Sequence, residues 1–319
     1  MVIVSPPGPV VCITLGRIAM KVFRSPAFIS SAFVLLALGL GVVPATSEKL
    51  TPADVVAKHT AAIGSAEARA RAKGTRIKGT VEVIVKAGGA GNSAGNVVMA
   101  SHGSQNMVNL IYDAGEPSTS FRFDGRKTTV TQFRPGRHTP LEHFFAENEE
   151  IVGEGLVGGV LSESWPLLNL QEKNPKLEYS GTKKIDNRQV HAIKYRPRKG
   201  SELNITLFFD AETFQHVRTE YEKTVYSTTQ QRIASGGPGL PAATEARSAP
   251  QRLTAYEAFS DFKMVGGLNL PHVYKFELSV QSDRRPLLLN WTINLTEFTF
   301  NAPVDPSEFV VGNEAPKPN

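Results

Sequence analysis

The stretch 207–221, LFFDAETFQHVRTEY, crowds Asp210, Glu212, His216, Arg218 and Glu220 together. Acids, an imidazole and a guanidinium at that density could serve proton transfer and charge stabilisation. The same letters also spell a hairpin. Leu203, Ile205, Leu207 and Phe209 alternate on one strand face, with Asn204 and Thr206 on the other. Asp210-Ala211-Glu212-Thr213 has turn composition, with an Asp placed to bond its own backbone. Val217, Thr219 and Tyr221 resume an alternating face, and Arg218 and Glu220 share the opposite one, where cross-strand neighbours can pair with them. Every charged residue has a structural use, so the stretch is read as a hairpin and not as a catalytic cluster.

Other chemical signals are weaker. The chain has no HExxH and no P-loop. Gly153 to Gly158 matches a dinucleotide fingerprint by letters only, because no strand precedes it. His138 and His143 flank a helix start at Pro140 and have no acid-rich partner set, which does not favour a metal pair. Asn204, Asn290 and Asn294 open glycan sequons, but they also sit on the polar faces of strands. No catalytic residue, metal or cofactor is assigned, and the chain is not read as an enzyme.

The first residues look like an address. Lys21 and Arg24 precede an uncharged run from Ala27 to Val43, and Val43-Pro44-Ala45 is a small-residue cleavage site. The strongly apolar part, Ala32 to Val43, is short against the ~20 residues of a membrane span. Residues 1–45 are therefore expected to be a signal peptide, with Met20 as an alternative start. Of 35 basic side chains three lie in that leader, leaving 32 against 30 acids. That near balance gives no support to a nucleic-acid partner. The only cysteine, Cys12, also lies in the leader, so neither a disulfide nor a lipid-anchored cysteine at the cleavage point is expected. The expected location is the periplasm, without a lipid anchor.

The elements must form the core without disulfides. Thr51-Pro52-Ala53-Asp54 is a capping box, and Val55, Val56, His59 and Ile63 follow on one helical face, His59 as a packing residue. A second short helix runs to about Ala72. From Arg76 to Lys86 the period becomes two. Gly88 to Gly95 reads as a loop, then strands are expected at 96–100, 107–112, 120–123 and 128–133, the last two joined by a turn at Asp124-Gly125. Thr139-Pro140-Leu141-Glu142 opens a second helical region, 141–170, in which Gly155, Gly158 and Gly159 predict a break. About six strands follow, from Leu177 to Phe300, interrupted by a mobile Gly/Pro/Ala/Ser-rich insert at 236–250. Helices and strands are segregated, which predicts an α+β fold with an antiparallel sheet.

Gly181 to His191, with Ile185-Asp186-Asn187-Arg188 at its centre, resembles a strand pair of the LolA/LolB-like lipoprotein-carrier superfamily, which includes RseB-like envelope regulators. The FDAETF hairpin, Phe259 to Pro271, and the tail from Phe300-Asn301 to Phe309 are similar to later elements of that group. The resemblance covers about residues 50–311. Asn187 stands where the pattern has glycine, and the 236–250 insert departs from it. The resemblance implies one domain, 46–311, followed by a disordered tail at 312–319. It implies a strongly curved antiparallel sheet, a half-barrel, closed on its concave side by helices around an apolar cavity. The implied ligand is a lipid, an acyl chain or a lipidated protein, with an envelope protein as a further partner.

Residues for such a cavity can be named. Phe144, Phe145, Leu156, Val160, Leu161 and Trp165 come from the helical region, and Tyr274, Phe276, Leu278, Leu289, Trp291 and Ile293 from alternating strand faces. Two readings fit them. One is the wall and lid of a carrier or sensor. The other is the ordinary filled core of a structural or protein-interaction module.

Overall fold

The computed structural model describes residues 50–87, 91–113, 118–132, 139–225, 251–281 and 286–310. The expected leader, the 236–250 insert, the 312–319 tail and His138 lie outside them.

Twelve strands form one antiparallel sheet that curves without closing. The first five are β1 (Thr75–Ala87), β2 (Gly91–His102), β3 (Gln105–Tyr112), β4 (Thr119–Phe123) and β5 (Thr128–Gln132). The other seven are β6 (Lys176–Ile185), β7 (Arg188–Arg196), β8 (Asn204–Asp210), β9 (His216–Val225), β10 (Gln251–Val265), β11 (Leu268–Gln281) and β12 (Leu287–Thr299). Each group is a meander of neighbours in sequence. Pairing of β1 with β12 joins the two, from Arg76↔Thr299 to Ala87↔Leu288. This is the half-barrel expected from the sequence.

That topology decides where the site lies. The two free edges are β5 and β6. The chain leaves one edge and enters the other, so residues between them must cross the concave face. The crossing segment holds α3 (Pro140–Glu147), α4 (Glu150–Gly153), 3-10 turns at Gly159–Leu161 and Pro166–Leu168, and α5 (Leu170–Lys173). The expected long helical region is thus a series of short pieces. Gly155, Gly158 and Gly159 all have positive φ, at +81°, +78° and +51°, and Pro166 opens the last 3-10 turn. Helices α1 (Pro52–Ile63) and α2 (Ala66–Arg71) complete the cover. Both expected capping boxes form, at Thr51/Asp54 and Thr139/Glu142.

Two strand details differ from the sequence reading. Gly91 to Gly95 belongs to β2 instead of a loop. A Cβ on Gly95 would stand 2.1 Å from the Ile111 carbonyl oxygen, so glycine is what lets β2 and β3 stay paired there. In the hairpin, Asp210 Oδ1 accepts the N–H of Glu212 and of Thr213, as expected of a turn. A bulge between Phe208 and Phe209, however, sends Val217 to the convex face beside Phe208 and Val190. His216, Thr219 and Tyr221 are left facing the core, fully buried.

Candidate functional site

The crossing segment and the concave sheet face meet in one apolar core. All twelve residues named from the sequence lie in it, and all are buried. Phe144 and Phe145 of α3 pack on Phe276 of β11 at 6.0 and 5.5 Å between ring centroids, and Phe276 meets Trp291 of β12 at 5.8 Å. Trp165 lies apart from that group, stacked on His216 at 4.6 Å. Through Phe259, His216 connects to Tyr274 by centroid steps of 4.9 and 5.2 Å. Leu156, Val160 and Leu161 of the crossing segment belong to the same buried cluster as Leu278, Leu289 and Ile293.

Polar pins hold the segment between Glu150 and Ser164. Asn106 of β3 donates to the Val152 carbonyl and to Ser164 Oγ, each at 3.1 Å. Tyr195 of β7 donates to Glu154 at 2.8 Å, and Ser201 to Glu150 at 2.7 Å. In the centre, Glu257 of β10 is fully buried and accepts the Gly158 N–H at 2.7 Å and the Tyr221 hydroxyl at 2.6 Å. Tyr274 also hydrogen-bonds this carboxyl group. Burial pushes Glu257 up to about 7, against the pull of its three donors. The same burial, with the carboxylate beside them, raises Tyr221 and Tyr274 well above the usual phenol range.

Two buried histidines sit beside these pins. His59 Nδ1 meets the Phe214 carbonyl oxygen at 3.0 Å, and Trp165 Nε1 donates to His59 Nε2 at 3.1 Å. A carbonyl can only accept and an indole N–H can only donate, so His59 is neutral with its proton on Nδ1. Burial lowers it to about 4. His216 contacts Thr219 Oγ1 through Nε2 at 2.9 Å and is held well below the usual imidazole range, first by burial and then by His59. No set of these groups faces solvent with a base against a nucleophile. Among the described residues, no group of three or more His, Cys, Asp or Glu could hold a metal.

Among the described residues, three openings of appreciable volume border this core. A groove of about 460 Å³ runs between α3 and the ends of β10–β12, lined by Pro140, Phe144, Leu253, Leu278, Val280 and Leu287. A pocket of about 200 Å³ lies where α1 and α2 meet the 3-10 turns and β11, and it touches Val160 and Leu161. A shallow groove of about 880 Å³ follows α1, α2 and α5. The sequence-named residues divide among these openings. Phe144 and Leu278 reach the first and Val160 and Leu161 the second, while none of the twelve lines the third.

Sequence reasoning missed Glu257, Tyr221 and His216, and gave His59 only a packing role. A signal for Glu257 was present. In β10, Ala255, Glu257 and Phe259 share the buried face, so a carboxylate appears where period two demands an apolar residue. His216 had no such signal, because the bulge that turns it inward is not a composition feature.

No model of a known protein family matches the chain, and no curated protein does. Solved structures do. A LolA superfamily protein from Nitrosomonas europaea is 12% identical, covering 81% of this chain and 97% of its own, with a TM-score of 0.45. A putative outer membrane lipoprotein-sorting protein domain from Vibrio parahaemolyticus is 11% identical over 76% of this chain and 93% of its own, TM-score 0.34. The Pseudomonas aeruginosa MucA/MucB complex matches at 12% identity, over 77% of this chain and 99% of the other, TM-score 0.21.

Proposed function

We propose that this chain is a non-enzymatic envelope protein that holds the acyl chain of a lipid or lipidated protein between its crossing segment and sheet. The observation that carries the reading is the groove beside α3. Its outer wall of Leu253, Val280 and Leu287 is half-buried, and its inner wall of Phe144 and Leu278 is fully buried and continuous with Phe276 and Trp291. An apolar path from solvent to core, beside a segment built of short pieces, suits an elongated apolar guest. Val280→Glu and Leu287→Glu are expected to cut uptake of a fluorescent fatty acid at least about tenfold, because the guest would have to desolvate a carboxylate. Melting temperatures should move by only a few degrees. Unchanged uptake in both variants would remove the groove from consideration, and native mass spectrometry of the purified protein should show bound lipid.

A second reading has its own support. The space under the crossing segment is occupied by Phe145, Leu156 and Trp165, all fully buried, and buried hydrogen bonds tie the segment to the sheet. A filled core of this kind suits a protein-interaction module, with an envelope protein as partner and no ligand. Absence of lipid in the native mass spectrum together with unaltered uptake controls would favour it.

Periplasmic location rests on the sequence of residues 1–45. A reporter fused to residues 20–50 should cross the inner membrane and lose the apolar run. Retention of residues 20–45 in the mature protein would make that run an anchor instead. Among the described residues no helix is long and apolar enough to cross a membrane.

A further inference from the structure

The pocket at the elbow of α1 and α2 differs from the α3 groove in its charge. Its floor is apolar: Ile63, Leu161, Leu268 and Leu270 are buried, and Phe300 is half-buried. Its rim carries two cations, half-buried Arg69 and exposed Lys73. Arg69 Nη1 donates to the carbonyls of Thr60 and Gly64, where α1 ends, which fixes the guanidinium over the opening. Neither cation lies in an ion pair among the described residues, whereas Arg76, Lys78, Arg188, Lys194, Arg218, Lys223, Arg252 and Lys263 all do. The one carboxylate in the lining, Glu163, is already engaged. Its two oxygens accept the backbone N–H groups of Thr75 and Gly103, each at 3.1 Å. The lining thus carries two cations against one carboxylate whose oxygens are both taken, above an apolar floor.

We propose that this pocket binds an amphiphile with an anionic head group, a carboxylate or a phosphate, whose head lies at Arg69 and Lys73 and whose tail lies on Ile63, Leu268, Leu270 and Phe300. The proposal deepens the reading of the chain as an acyl-chain binder by giving the guest a charge. A guanidinium already held by two carbonyls loses little freedom on meeting an oxyanion, and its remaining N–H donors suit one. The volume, about 200 Å³, fits a short or partly inserted chain and not a whole diacyl lipid.

Titration of the full mature chain with decanoate, decyl phosphate, decanol and decyltrimethylammonium tests it. Both anions should bind more tightly than decanol, and the cation more weakly. Binding of one anion alone would identify carboxylate or phosphate as the head group. Lys73→Glu, at an exposed residue with no partner to lose, should weaken the anions about fivefold and leave decanol unchanged. Ala70→Trp, at an exposed position in the lining, should block the pocket for all three that bind. Equal affinity for decanol and the anions, or Lys73→Glu without effect, would overturn the proposal even if Ala70→Trp failed to fold. Loss of uptake in Val280→Glu but not in Ala70→Trp would sink this pocket and leave the α3 groove standing. The reverse would sink the groove and leave the pocket, and loss in neither variant would end both.

Discussion

Gly155→Ala should lower the free energy of unfolding by about 3 kcal/mol or more, or prevent folding. Gly155 joins α4 to the 3-10 turns and has φ of +81°. An L-residue in that left-handed region costs roughly 1–2 kcal/mol. The space is also taken. A Cβ would lie 2.2 Å from the Ser164 carbonyl oxygen and 2.5 Å from its Oγ. Ser164 cannot move aside cheaply, because it is fully buried and Asn106 and Ser162 both hold its hydroxyl. Overpacking of that kind costs roughly 1–3 kcal/mol more. Gly181→Ala is the control, since it has φ of +89° but nothing within 4 Å. Urea unfolding should separate the two variants clearly. Equal losses would mean that backbone conformation alone matters at Gly155. Gly158 lies between these cases, because its Cβ would meet only the mobile end of Met99, at 2.6 Å. The glycine cluster therefore serves tight turns against the sheet. A wholesale hinge at these positions would need Gly155 to tolerate alanine.

How much of this could be read in advance follows from what each feature depends on. Capping boxes, the Asp210 turn and the alternating faces of β11 and β12 depend on residues near each other in sequence, and they were legible. The half-barrel was legible through the resemblance. The pairing of β1 with β12 joins positions more than 200 residues apart, such as Arg76 and Thr299, and no local pattern encodes it. The start of β2 was lost because Gly91 and Gly95 read as loop, although Gly95 serves close strand approach. At the candidate site the apolar wall was legible and the polar pins were not. Trp165 was placed among wall residues, but its indole N–H bonds His59, more than 100 residues away. Such a pair is a property of packing, in which a buried donor must find whichever acceptor the fold presents.

Those pins give the second large effect, in the pH dependence of stability. Glu257 is raised to about 7 in the folded chain from the ordinary 4.5. Between these values the folded chain holds a proton that the unfolded chain has released. Its contribution is complete below pH 4.5 and is lost as pH rises through 7. His59 works in the opposite sense, lowered to about 4 from 6.5, and His216 is lowered in the same direction. Their contribution is complete above pH 6.5 and is lost as pH falls. From pH 6.5 to 5, unfolding takes up two protons on the histidines and releases one from Glu257. The net uptake of one proton gives a loss of about 1.4 kcal/mol per pH unit. In Glu257→Gln the releasing group is gone, so the slope should roughly double. The variant's extra loss between pH 6.5 and 5 is then about 2 kcal/mol. Glutamine can still accept the Gly158 N–H through its carbonyl oxygen and can donate to the Tyr221 or Tyr274 hydroxyl, so the fold should survive at pH 6.5. His191 is lowered too, first by burial, and adds equally to both proteins. Asp54, Asp124 and Asp210 are lowered carboxylates that titrate below this window. Urea unfolding of the two proteins at pH 5 and 6.5 measures the difference directly. Parallel slopes would mean that Glu257 is ionised across the window, and that its charge is carried in the core by Gly158 and the two tyrosines alone.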